Sequence, residues 1–300
     1  MEPIYIAGPT ASGKSAVALF LARNLGGEII SVDSMQVYRG MDIGTAKPTA
    51  AERACVAHHL VDVAGPQENF DVARFLHMAA VAHQDIVGRN RVPIYCGGTG
   101  LYFNALIYGV GTAPASDPGI RQELESAPLD DLLAELARQD PETFARIDRS
   151  NRRRVVRALE VIRTTGKPYS DQRAEWKVRP PGHWFGLARE RSDLHQRINA
   201  RVDAMFAHGL VEETRELLRH GLEGNRTAMQ AIGYRQVVEH LNGDRDLPST
   251  IELVKQKTRQ FAKRQGTWFR NQLELNWLNI GVETAAEEIA DTVLRKVSDR

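Results

Sequence analysis

Residues 8–15 of this 300-residue chain are Gly8-Pro9-Thr10-Ala11-Ser12-Gly13-Lys14-Ser15, which match the phosphate-loop pattern G-x-x-x-x-G-K-[ST]. In such a loop the glycines let backbone N–H groups turn toward a phosphate, Lys14 adds a positive charge, and the Ser15 hydroxyl can bind Mg²⁺. The β-prone run Ile4–Ala7 precedes the loop, and apolar residues at helical spacing follow in Ala16–Leu25. This order of strand, loop and helix predicts a binding site for a di- or triphosphate.

Two further strands are predicted beyond the phosphate loop. Glu28–Val32 ends at Asp33, and Val92–Cys96 ends at Gly97-Gly98-Thr99-Gly100. Strands that alternate with helices predict a parallel sheet flanked by helices, here an α/β fold of the P-loop NTPase type. Because ligands bind at the carboxyl ends of parallel strands, we expect the loops after residues 7, 32 and 96 to line the active site.

The middle of the chain has only helical spacing. Leucines at Leu129, Leu132 and Leu136 and the later pair Val155 and Leu159 recur at intervals of three or four residues. We therefore predict an all-helical insertion domain at residues 116–171, within a catalytic core formed by residues 1–115 and 172–300. Strands at 183–188 and 275–280 and a long helix at 249–270 are predicted in the second part of the core.

Composition excludes several classes of protein. Hydrophobic residues make up 42% and charged residues 26% of the chain, which is typical of a globular protein rather than a disordered one. No apolar run approaches the roughly 18 residues of a membrane span. Cys55 and Cys96 provide neither a disulfide framework nor a structural zinc site. We expect a cytoplasmic protein that does not associate with membranes.

The net charge is only +1, but positive charge is clustered in two windows without acidic residues. The first, between Glu252 and Glu274, contains Lys255, Lys257, Arg259, Lys263, Arg264 and Arg270, and the second contains Arg149, Arg152, Arg153, Arg154 and Arg157. Such windows are either solvated helix faces or contacts to a polyanion. We interpret Phe261 and Trp268, in the first window, as core residues.

The phosphate loop alone leaves the donor open between a pyrophosphate leaving group and a nucleoside triphosphate such as ATP. A small-molecule kinase would use the loop for ATP and a carboxylate as the base for a substrate hydroxyl. An RNA-binding ATPase would also contain the loop. The carboxylates predicted at strand ends are Asp33 and Asp62.

Several segments together resemble the tRNA dimethylallyltransferases, the bacterial tRNA isopentenyltransferase family. They are the phosphate loop, Asp33-Ser34-Met35-Gln36-Val37-Tyr38, Gly44-Thr45-Ala46-Lys47-Pro48, His59-Leu60-Val61-Asp62, Gly97-Gly98-Thr99-Gly100-Leu101-Tyr102, Arg157-Ala158-Leu159-Glu160-Val161, Leu194-His195-Gln196-Arg197-Ile198, Ile232-Gly233-Tyr234-Arg235-Gln236 and Ala262-Lys263-Arg264-Gln265. The segments occur in the family's order and cover essentially the whole chain.

The resemblance implies transfer of a dimethylallyl group from dimethylallyl diphosphate to N6 of the adenosine 3′ to the anticodon, at position 37, in tRNAs that read codons beginning with U. Diphosphate is released and Mg²⁺ is the expected cofactor. An adenine amine is a poor nucleophile, so a carboxylate that accepts its proton assists the reaction. The resemblance implies that Asp33 is this base and that Thr99 faces the same cleft.

Arg197 resembles a family arginine that helps to bind pyrophosphate, together with the phosphate loop, Gly8 to Ser15. Arg189, Arg191 and Arg201 stand close to it in the sequence, and each remains an alternative for this contact.

The resemblance also implies contacts to the anticodon stem-loop of tRNA. The residues concerned are Asp33, Ser34, Met35, Gln36, Thr99, Arg121, Arg153, Arg157, Gln230, Gly233, Tyr234 and Arg235. Arg153 stands where the family pattern Gln-x-x-x-Arg has glutamine, which favours a phosphate contact there over base recognition by an amide. The insertion and the two basic windows favour tRNA over free AMP as acceptor, because a mononucleotide needs no such surface. We expect a monomer with no obligate protein partner.

Overall fold

The computed structural model describes residues 2–109, 113–114, 116–172 and 182–298. Within them a single sheet has the strand order β3-β2-β4-β1-β5-β6, and every neighbouring pair is parallel. The strands are β1 (Ile4–Ala7), β2 (Glu28–Val32), β3 (His58–His59), β4 (Pro93–Gly97), β5 (His183–Arg189) and β6 (Asn276–Ile280). A parallel sheet flanked by helices confirms the predicted α/β fold.

Thirteen α-helices occur in the same described residues. They are α1 (Lys14–Leu25), α2 (Ala50–Cys55), α3 (Val72–Gly88), α4 (Gly100–Tyr108), α5 (Pro118–Ser126), α6 (Leu129–Gln139), α7 (Pro141–Arg146), α8 (Arg152–Thr165), α9 (Arg191–Ala207), α10 (Leu210–Arg219), α11 (Tyr234–Leu241), α12 (Leu247–Gln272) and α13 (Ala286–Ser298). None of the described helices is long and apolar enough to cross a membrane.

The chain divides into two compact units. The larger unit contains residues 1–104 and 180–300, and the smaller contains residues 105–179. The described part of the smaller unit is helical, and its core holds the leucines and valines whose spacing suggested helices, among them Leu132, Leu136, Val155 and Leu159. This unit extends beyond the predicted insertion, residues 116–171, at both ends.

Alternating side chains of β1 pack on both faces of the sheet in the larger unit. Ile4 and Ile6 lie in an apolar cluster with residues of α1 and α13. On the other face Tyr5 stacks on its register neighbours, Tyr95 of β4 at 4.7 Å and Trp184 of β5 at 3.7 Å between ring centroids. This packing fixes the central strands and hence the loops at their carboxyl ends.

The aromatic residues of α12 are placed differently from the expectation. Phe269 is fully buried and packs on Phe103 of α4, with ring centroids 5.6 Å apart. Phe261, interpreted above as a core residue, is 38% exposed and lines a cavity, so that prediction is wrong. Trp268 is half-buried. Helical spacing identifies a face of a helix but does not say whether that face meets a core or an opening.

Candidate active site

The phosphate loop connects β1 to α1 at the carboxyl edge of the sheet. Gly13 has φ +97°, a left-handed conformation that glycine adopts without strain, and it is the N-cap residue of α1. With no side chain at Gly13 to cap the helix, the first N–H groups of α1 lack a side-chain acceptor. A helix start left uncapped in this way favours the binding of an anion.

Lys14 lies beneath the loop, where its ammonium donates to the carbonyl oxygen of Pro9 at 3.2 Å. Burial lowers the pKa of Lys14; the neighbouring Cys96 and Asp33 oppose this, and Arg201 adds to it. Burial also raises the pKa of the Cys96 thiol to about 11, so this cysteine is a neutral wall residue at neutral pH. The lysine is therefore a poorly solvated cation at the base of the site.

A cavity of about 380 Å³ opens beside the loop, within the larger unit. Its polar lining includes Thr10, Lys14, Ser15, Asp33, Ser34, Gln36, Thr99, Arg201, Gln230 and Gln265, and its apolar lining includes Met35, Val202, Met205, Ile232, Val254 and Phe261. The loops after β1, β2 and β4 thus meet at one cavity, as their positions in a parallel sheet predicted.

Asp33 follows β2 directly, and its two carboxylate oxygens differ in their contacts. Oδ1 accepts the backbone N–H groups of Met35 at 2.8 Å and Gln36 at 3.3 Å. Among the described residues no hydrogen bond reaches Oδ2. One oxygen therefore fixes the local turn, and the other can accept a proton from a ligand.

Thr99, after β4, lies next to the Asp33 loop. Its hydroxyl oxygen accepts the backbone N–H of Ser34 at 3.0 Å. Gln36 extends the network because its amide nitrogen donates to the carbonyl oxygens of Thr45 and Ala46, each at 3.3 Å. Side-chain hydrogen bonds thus join three loops around the cavity.

The four candidate arginines have different surroundings. Arg189 is buried with Asp193, at 2.8 Å, and its Nε donates to the carbonyl oxygen of Ser12 at 3.0 Å. Arg197 and Arg201 line a second cavity of about 360 Å³ together with Lys14 and Ser15, whereas neither Arg189 nor Arg191 lines it. Arg197 and Arg201 are thus the two of the four arginines that line this cavity.

Arg197 and Arg201 differ in the contacts that they already make. The Nε of Arg197 donates to the carbonyl oxygen of Ala11 at 3.1 Å. Arg201 makes no hydrogen bond to any residue in the described part of the chain, and it lines both cavities. Burial lowers the pKa of Arg201, Asp33 opposes this shift, and Arg197 adds to it.

Close approaches at the glycines after β4 shape the site. A Cβ atom on Gly97 would lie 2.0 Å from the carbonyl oxygen of Val32, so only glycine lets β2 and the end of β4 come this close. A Cβ on Gly98 would meet the side-chain nitrogen of Gln265 at 2.4 Å, and one on Gly100 would meet the Trp268 ring at 2.5 Å. The absence of side chains in the Gly-Gly-x-Gly segment therefore lets α12 pack closely against it and form part of the cavity wall.

A family model described as IPP transferase matches residues 36–272, and a second, described as isopentenyl transferase, matches residues 1–62. The chain belongs to the IPP transferase family. Its similarity to known members extends over nearly the whole sequence. It is 48% identical over 287 residues to tRNA dimethylallyltransferase 1 of Trichlorobacter lovleyi. That alignment covers 93% of this chain and 94% of the relative. It is 47% identical to the tRNA dimethylallyltransferase of Geobacter metallireducens, over 92% of this chain and 91% of the relative.

Solved structures of IPP transferases have the same fold. The tRNA isopentenylpyrophosphate transferase of Bacillus halodurans superposes with a TM-score of 0.73 at 40% identity, over 99% of this chain and 97% of that one. A eukaryotic dimethylallyltransferase acting on tRNA superposes with a TM-score of 0.84 at 28% identity, over 99% and 80% of the two chains. The resemblance drawn from the sequence motifs is confirmed.

Asp62, the other strand-end carboxylate considered from the sequence, does not line either cavity of this IPP transferase. It binds Lys47 at 2.5 Å and Arg53 at 2.6 Å. Burial would raise its pKa, but the hydrogen bonds from these two cations outweigh burial and hold the pKa of Asp62 below its usual value. Asp62 is part of an ion-pair cluster, and Asp33 is the carboxylate of the cavity.

Tyr234, predicted from the family to contact tRNA, is fully buried. Its hydroxyl donates to Glu213 at 2.5 Å and accepts the backbone N–H of Gly44 at 3.1 Å. The Glu213 carboxylate also accepts the N–H of Ile43 at 2.9 Å. The Tyr234 side chain thus holds the loop that lines the cavity at Gly44 to Ala46.

The neighbours of Tyr234 are more accessible. Gln230 lines the main cavity, and Arg235 is exposed at the start of α11, where it pairs with Glu239 at 3.1 Å. Gly233 has φ +101° and is the N-cap residue of α11, which explains a glycine at this position.

The arginines predicted to contact tRNA in the smaller unit lie on two helices. Arg121 is on α5, and Arg153 and Arg157 are on α8. Arg157 binds the fully buried Glu160 at 2.8 Å, and Arg121 binds Glu125 at 3.0 Å. Arg121 and Arg157 remain partly exposed, at 36% and 31%, so their guanidinium groups are both anchored and accessible.

Neither Gln265, which lines the cavity, nor Glu213, which supports the Gly44 loop, was predicted from the sequence to be a residue of the site. Gln265 is one of the buried residues of α12, together with Val254, Ala262 and Phe269. A polar residue on the buried face of an amphipathic helix needs a hydrogen-bonding partner, which was the available signal. The sequence did not indicate the partners, because they belong to distant segments.

Proposed function

We propose that this chain transfers the dimethylallyl group of dimethylallyl diphosphate to N6 of the adenosine at position 37, 3′ to the anticodon, in tRNAs that read codons beginning with U. The observation that carries this proposal is one cavity in which a phosphate loop faces a carboxylate with an unengaged oxygen. The phosphate loop is suited to binding a diphosphate leaving group, and the carboxylate oxygen is suited to accepting a proton from an amine. Membership of the IPP transferase family supports the same reaction.

The diphosphate would bind at the start of α1. Lys14, Ser15 and Arg201 line both cavities there, and Arg197 lines the smaller one. Since Arg201 has no hydrogen-bonding partner among the described residues, it can donate to phosphate oxygens without breaking an existing bond. Arg197 lies beside it and supports the loop through the carbonyl oxygen of Ala11.

The donors of the phosphate loop, Gly8 to Ser15, fit a role in stabilising the leaving group. Cleavage of the allylic C–O bond leaves its electron pair on the diphosphate, where negative charge develops. Preorganised N–H groups and cations stabilise such charge without reorganising during the reaction. Lys14 is suited to this task because it is already desolvated at the base of the site.

Mg²⁺ fits this site only together with the substrate. Among the described residues no three His, Cys, Asp or Glu side chains are grouped to hold a metal ion. The Ser15 hydroxyl lines both cavities, and Mg²⁺ in phosphate sites commonly has few protein ligands besides phosphate oxygens and water. Bound there, the ion would supply positive charge to the departing diphosphate.

Asp33 would act as the general base. The lone pair of the adenine amine forms the new N–C bond at the allylic carbon, and the amine proton moves to the Oδ2 atom of Asp33. Oδ1 remains bonded to the N–H groups of Met35 and Gln36, so the carboxylate keeps its orientation through the reaction.

Thr99 would support the reacting groups from the opposite loop. Its oxygen accepts the N–H of Ser34, while its hydroxyl proton has only a long contact of 3.5 Å to the Ser34 Oγ. That proton can turn toward the amine or the diphosphate when the substrates bind. We assign Thr99 to substrate contact on this basis.

A base stacked in the anticodon loop cannot reach a carboxylate that lies within a cavity, so the adenosine must be flipped into the cavity. Ser34, Met35, Gln36 and Gln230 line that cavity and would contact the nucleotide or its neighbours. Gly233 and Arg235 lie in the adjoining segment. Because the Tyr234 side chain is buried, we assign it to the positioning of the Gly44 loop rather than to direct contact.

The remaining tRNA contacts would be electrostatic. Arg121, Arg153 and Arg157 of the smaller unit, residues 105–179, would bind phosphates of the anticodon stem-loop, as would the exposed cations of α12. A tRNA substrate supports the cytoplasm as its location.

A small-molecule kinase that uses ATP remains the alternative to test, although family membership does not favour it. The decisive experiment incubates the protein with unmodified tRNA, dimethylallyl diphosphate and Mg²⁺ and analyses the tRNA nucleosides by mass spectrometry. We expect dimethylallyl adenosine and released diphosphate. Phosphoryl transfer from ATP without a prenylated nucleoside would contradict the proposal, as would prenylation of AMP but not of tRNA.

A further inference from the structure

Gln265 of α12 joins two of the loops that form the cavity. Its side-chain oxygen accepts the backbone N–H of Thr10, in the phosphate loop, at 2.9 Å. Its side-chain nitrogen donates to the carbonyl oxygen of Gly98, directly before Thr99, at 2.8 Å. One amide group thus bridges the loop after β1 and the loop after β4.

The bridge depends on the chemistry of glutamine and on its surroundings. An amide combines a donor and an acceptor at the end of one side chain, as the two loops require. Gln265 is buried, so its bonds are shielded from competing water. A Cβ atom at position 98 would lie 2.4 Å from the Gln265 nitrogen, so the glycine there makes room for the bridge.

The bridge connects the two places between which the proposed reaction occurs. Thr10 belongs to the loop that would hold the diphosphate, and Thr99 lies beside Ser34 and Asp33, which would hold the amine. The separation of these loops sets the separation of the allylic carbon and the attacking nitrogen. A misplacement of about 1 Å between reacting groups can reduce a rate about 100-fold.

We infer that Gln265 is a positioning residue, which sets the distance between the leaving-group site and the amine site by bridging Thr10 and Gly98. This inference rests on the proposed function. Gln265 would act on the chemical step through the two loops, with little effect on how tightly either substrate binds.

Two other roles are open to a buried glutamine that lines the cavity. If Gln265 had a purely structural role, its replacement would lower the stability of the fold and leave the rate of the folded protein unchanged. If Gln265 contacted tRNA directly, its replacement would weaken tRNA binding. Each role has a separate measurement, so the three can be distinguished in one set of variants.

The test compares Gln265→Met with Gln265→Glu. Methionine has a similar length and removes both hydrogen bonds, whereas glutamate keeps an oxygen for the N–H of Thr10 and places a second oxygen against the Gly98 carbonyl. Gln256→Met is the matched control, because Gln256 is exposed on the same helix and lines neither cavity.

The measurements are the single-turnover rate of prenylation with unmodified tRNA and dimethylallyl diphosphate, the Kd of tRNA, the Kd of inorganic pyrophosphate, and unfolding by urea. We expect the rate to fall about 10-fold to 100-fold in both Gln265 variants. We expect the Kd of tRNA for both variants, and the Kd of pyrophosphate for Gln265→Met, to stay within about 3-fold of the unsubstituted protein. Gln256→Met should match the unsubstituted protein in every measurement.

Three results would overturn the inference. They are an unchanged single-turnover rate in folded variants, a loss confined to the Kd of tRNA, and failure of both variants to fold. Failure of the proposed function is a different result, since the unsubstituted protein would then form no prenylated adenosine at all.

Discussion

The hydroxyl oxygen of Thr99 accepts the backbone N–H of Ser34 at 3.0 Å, which ties the loop after β4 to the loop after β2. The two residues are 65 positions apart in the chain. Parallel pairing of β2 with β4 places their carboxyl ends side by side, in the register Val32 to Gly97. The relationship therefore follows from the sheet, and it holds the neighbouring Asp33 in place.

Replacement of Thr99 by valine tests this bond. Thr99→Val keeps the shape of the side chain but leaves the partly buried N–H of Ser34 without its acceptor, which should cost about 1–3 kcal/mol of stability. Turnover should fall as well, because the Asp33 loop loses its anchor. Thr99→Ser retains the oxygen and is the control. Urea unfolding and nucleoside analysis provide the measurements, and equal stability of the two variants would exclude the bond as an anchor.

Asp33→Asn separates the two oxygens of the carboxylate. The asparagine oxygen can still accept the N–H groups of Met35 and Gln36, whereas the basic Oδ2 is lost. Turnover should fall by about 100-fold or more, the scale of a lost general base, while tRNA affinity stays nearly unchanged. Steady-state prenylation and filter binding measure the two quantities.

The control for this variant is Asp71→Asn. Asp71 accepts the backbone N–H of Arg74 at the start of α3, a contact of the same kind outside the cavity. Its replacement should leave turnover unchanged. If Asp33→Asn were as active as Asp71→Asn, another group would have to accept the amine proton.

The phosphate loop and the position of Asp33 were predictable because their signals are local: the loop lies between a strand and a helix, and Asp33 directly follows the next strand. The hydrogen bond of Gln265 to Gly98 joins residues 167 positions apart, and that of Tyr234 to Gly44 spans 190. No spacing rule connects such positions. The sequence therefore indicated residues that line the cavity, but it did not indicate the distant hydrogen bonds that hold the loops around it.

The four candidate arginines between positions 189 and 201 illustrate the same limit. All four lie within 13 residues of one another. Their positions in the sequence do not show which of them is closest to the proposed diphosphate site. Only the three-dimensional structure shows that Arg189 is paired with Asp193 and that Arg201 makes no hydrogen bond to any of the described residues. Likewise, the spacing of Phe261 identified a helix face but not the cavity beside it.

Diphosphate binding should depend on pH through Lys14. Burial places the pKa of Lys14 below its usual value of 10.5. As the pH rises through this lowered pKa, Lys14 loses its charge and pyrophosphate affinity should fall. The fall should begin at a lower pH than for an exposed lysine.

Lys14→Met shows which part of this pH dependence belongs to Lys14. The variant should bind pyrophosphate about 10-fold to 100-fold more weakly near neutral pH, the value of one charge-assisted hydrogen bond, and should lack the lysine-dependent fall. Calorimetric titrations of both proteins across the alkaline range provide the comparison. Selective loss of tRNA affinity instead would assign the loop to RNA.

The glycines after β4 should be intolerant of a side chain. Gly97→Ala would place Cβ 2.0 Å from the Val32 carbonyl oxygen, a backbone atom that moves only if β2 moves. We expect a destabilisation of at least about 1–3 kcal/mol, as for other overpacked cores. Gly88→Ala is the matched control, because nothing lies within 4 Å of its new methyl group and it belongs to α3.

Denaturation by urea compares the two glycine variants. Gly88→Ala should be neutral or stabilising by up to about 1 kcal/mol, since alanine favours helix over glycine. A Gly97→Ala protein as stable as Gly88→Ala would show that β2 and β4 can separate without cost.

Exposed cations of α12 should contribute to tRNA affinity through phosphate contacts. Lys257 and Lys263 are both exposed on this helix. If each neutralises one phosphate, then Lys257→Ala and Lys263→Ala should each reduce the slope of log K against log salt by about 0.7–0.9, because one counterion fewer is released.

The control is Lys296→Ala on α13, which removes the same charge from an exposed position of a different helix. Binding measured over a range of salt concentrations should show no change of slope for Lys296→Ala. Equal effects of all three substitutions would mean that overall charge, rather than the face of α12, attracts the RNA.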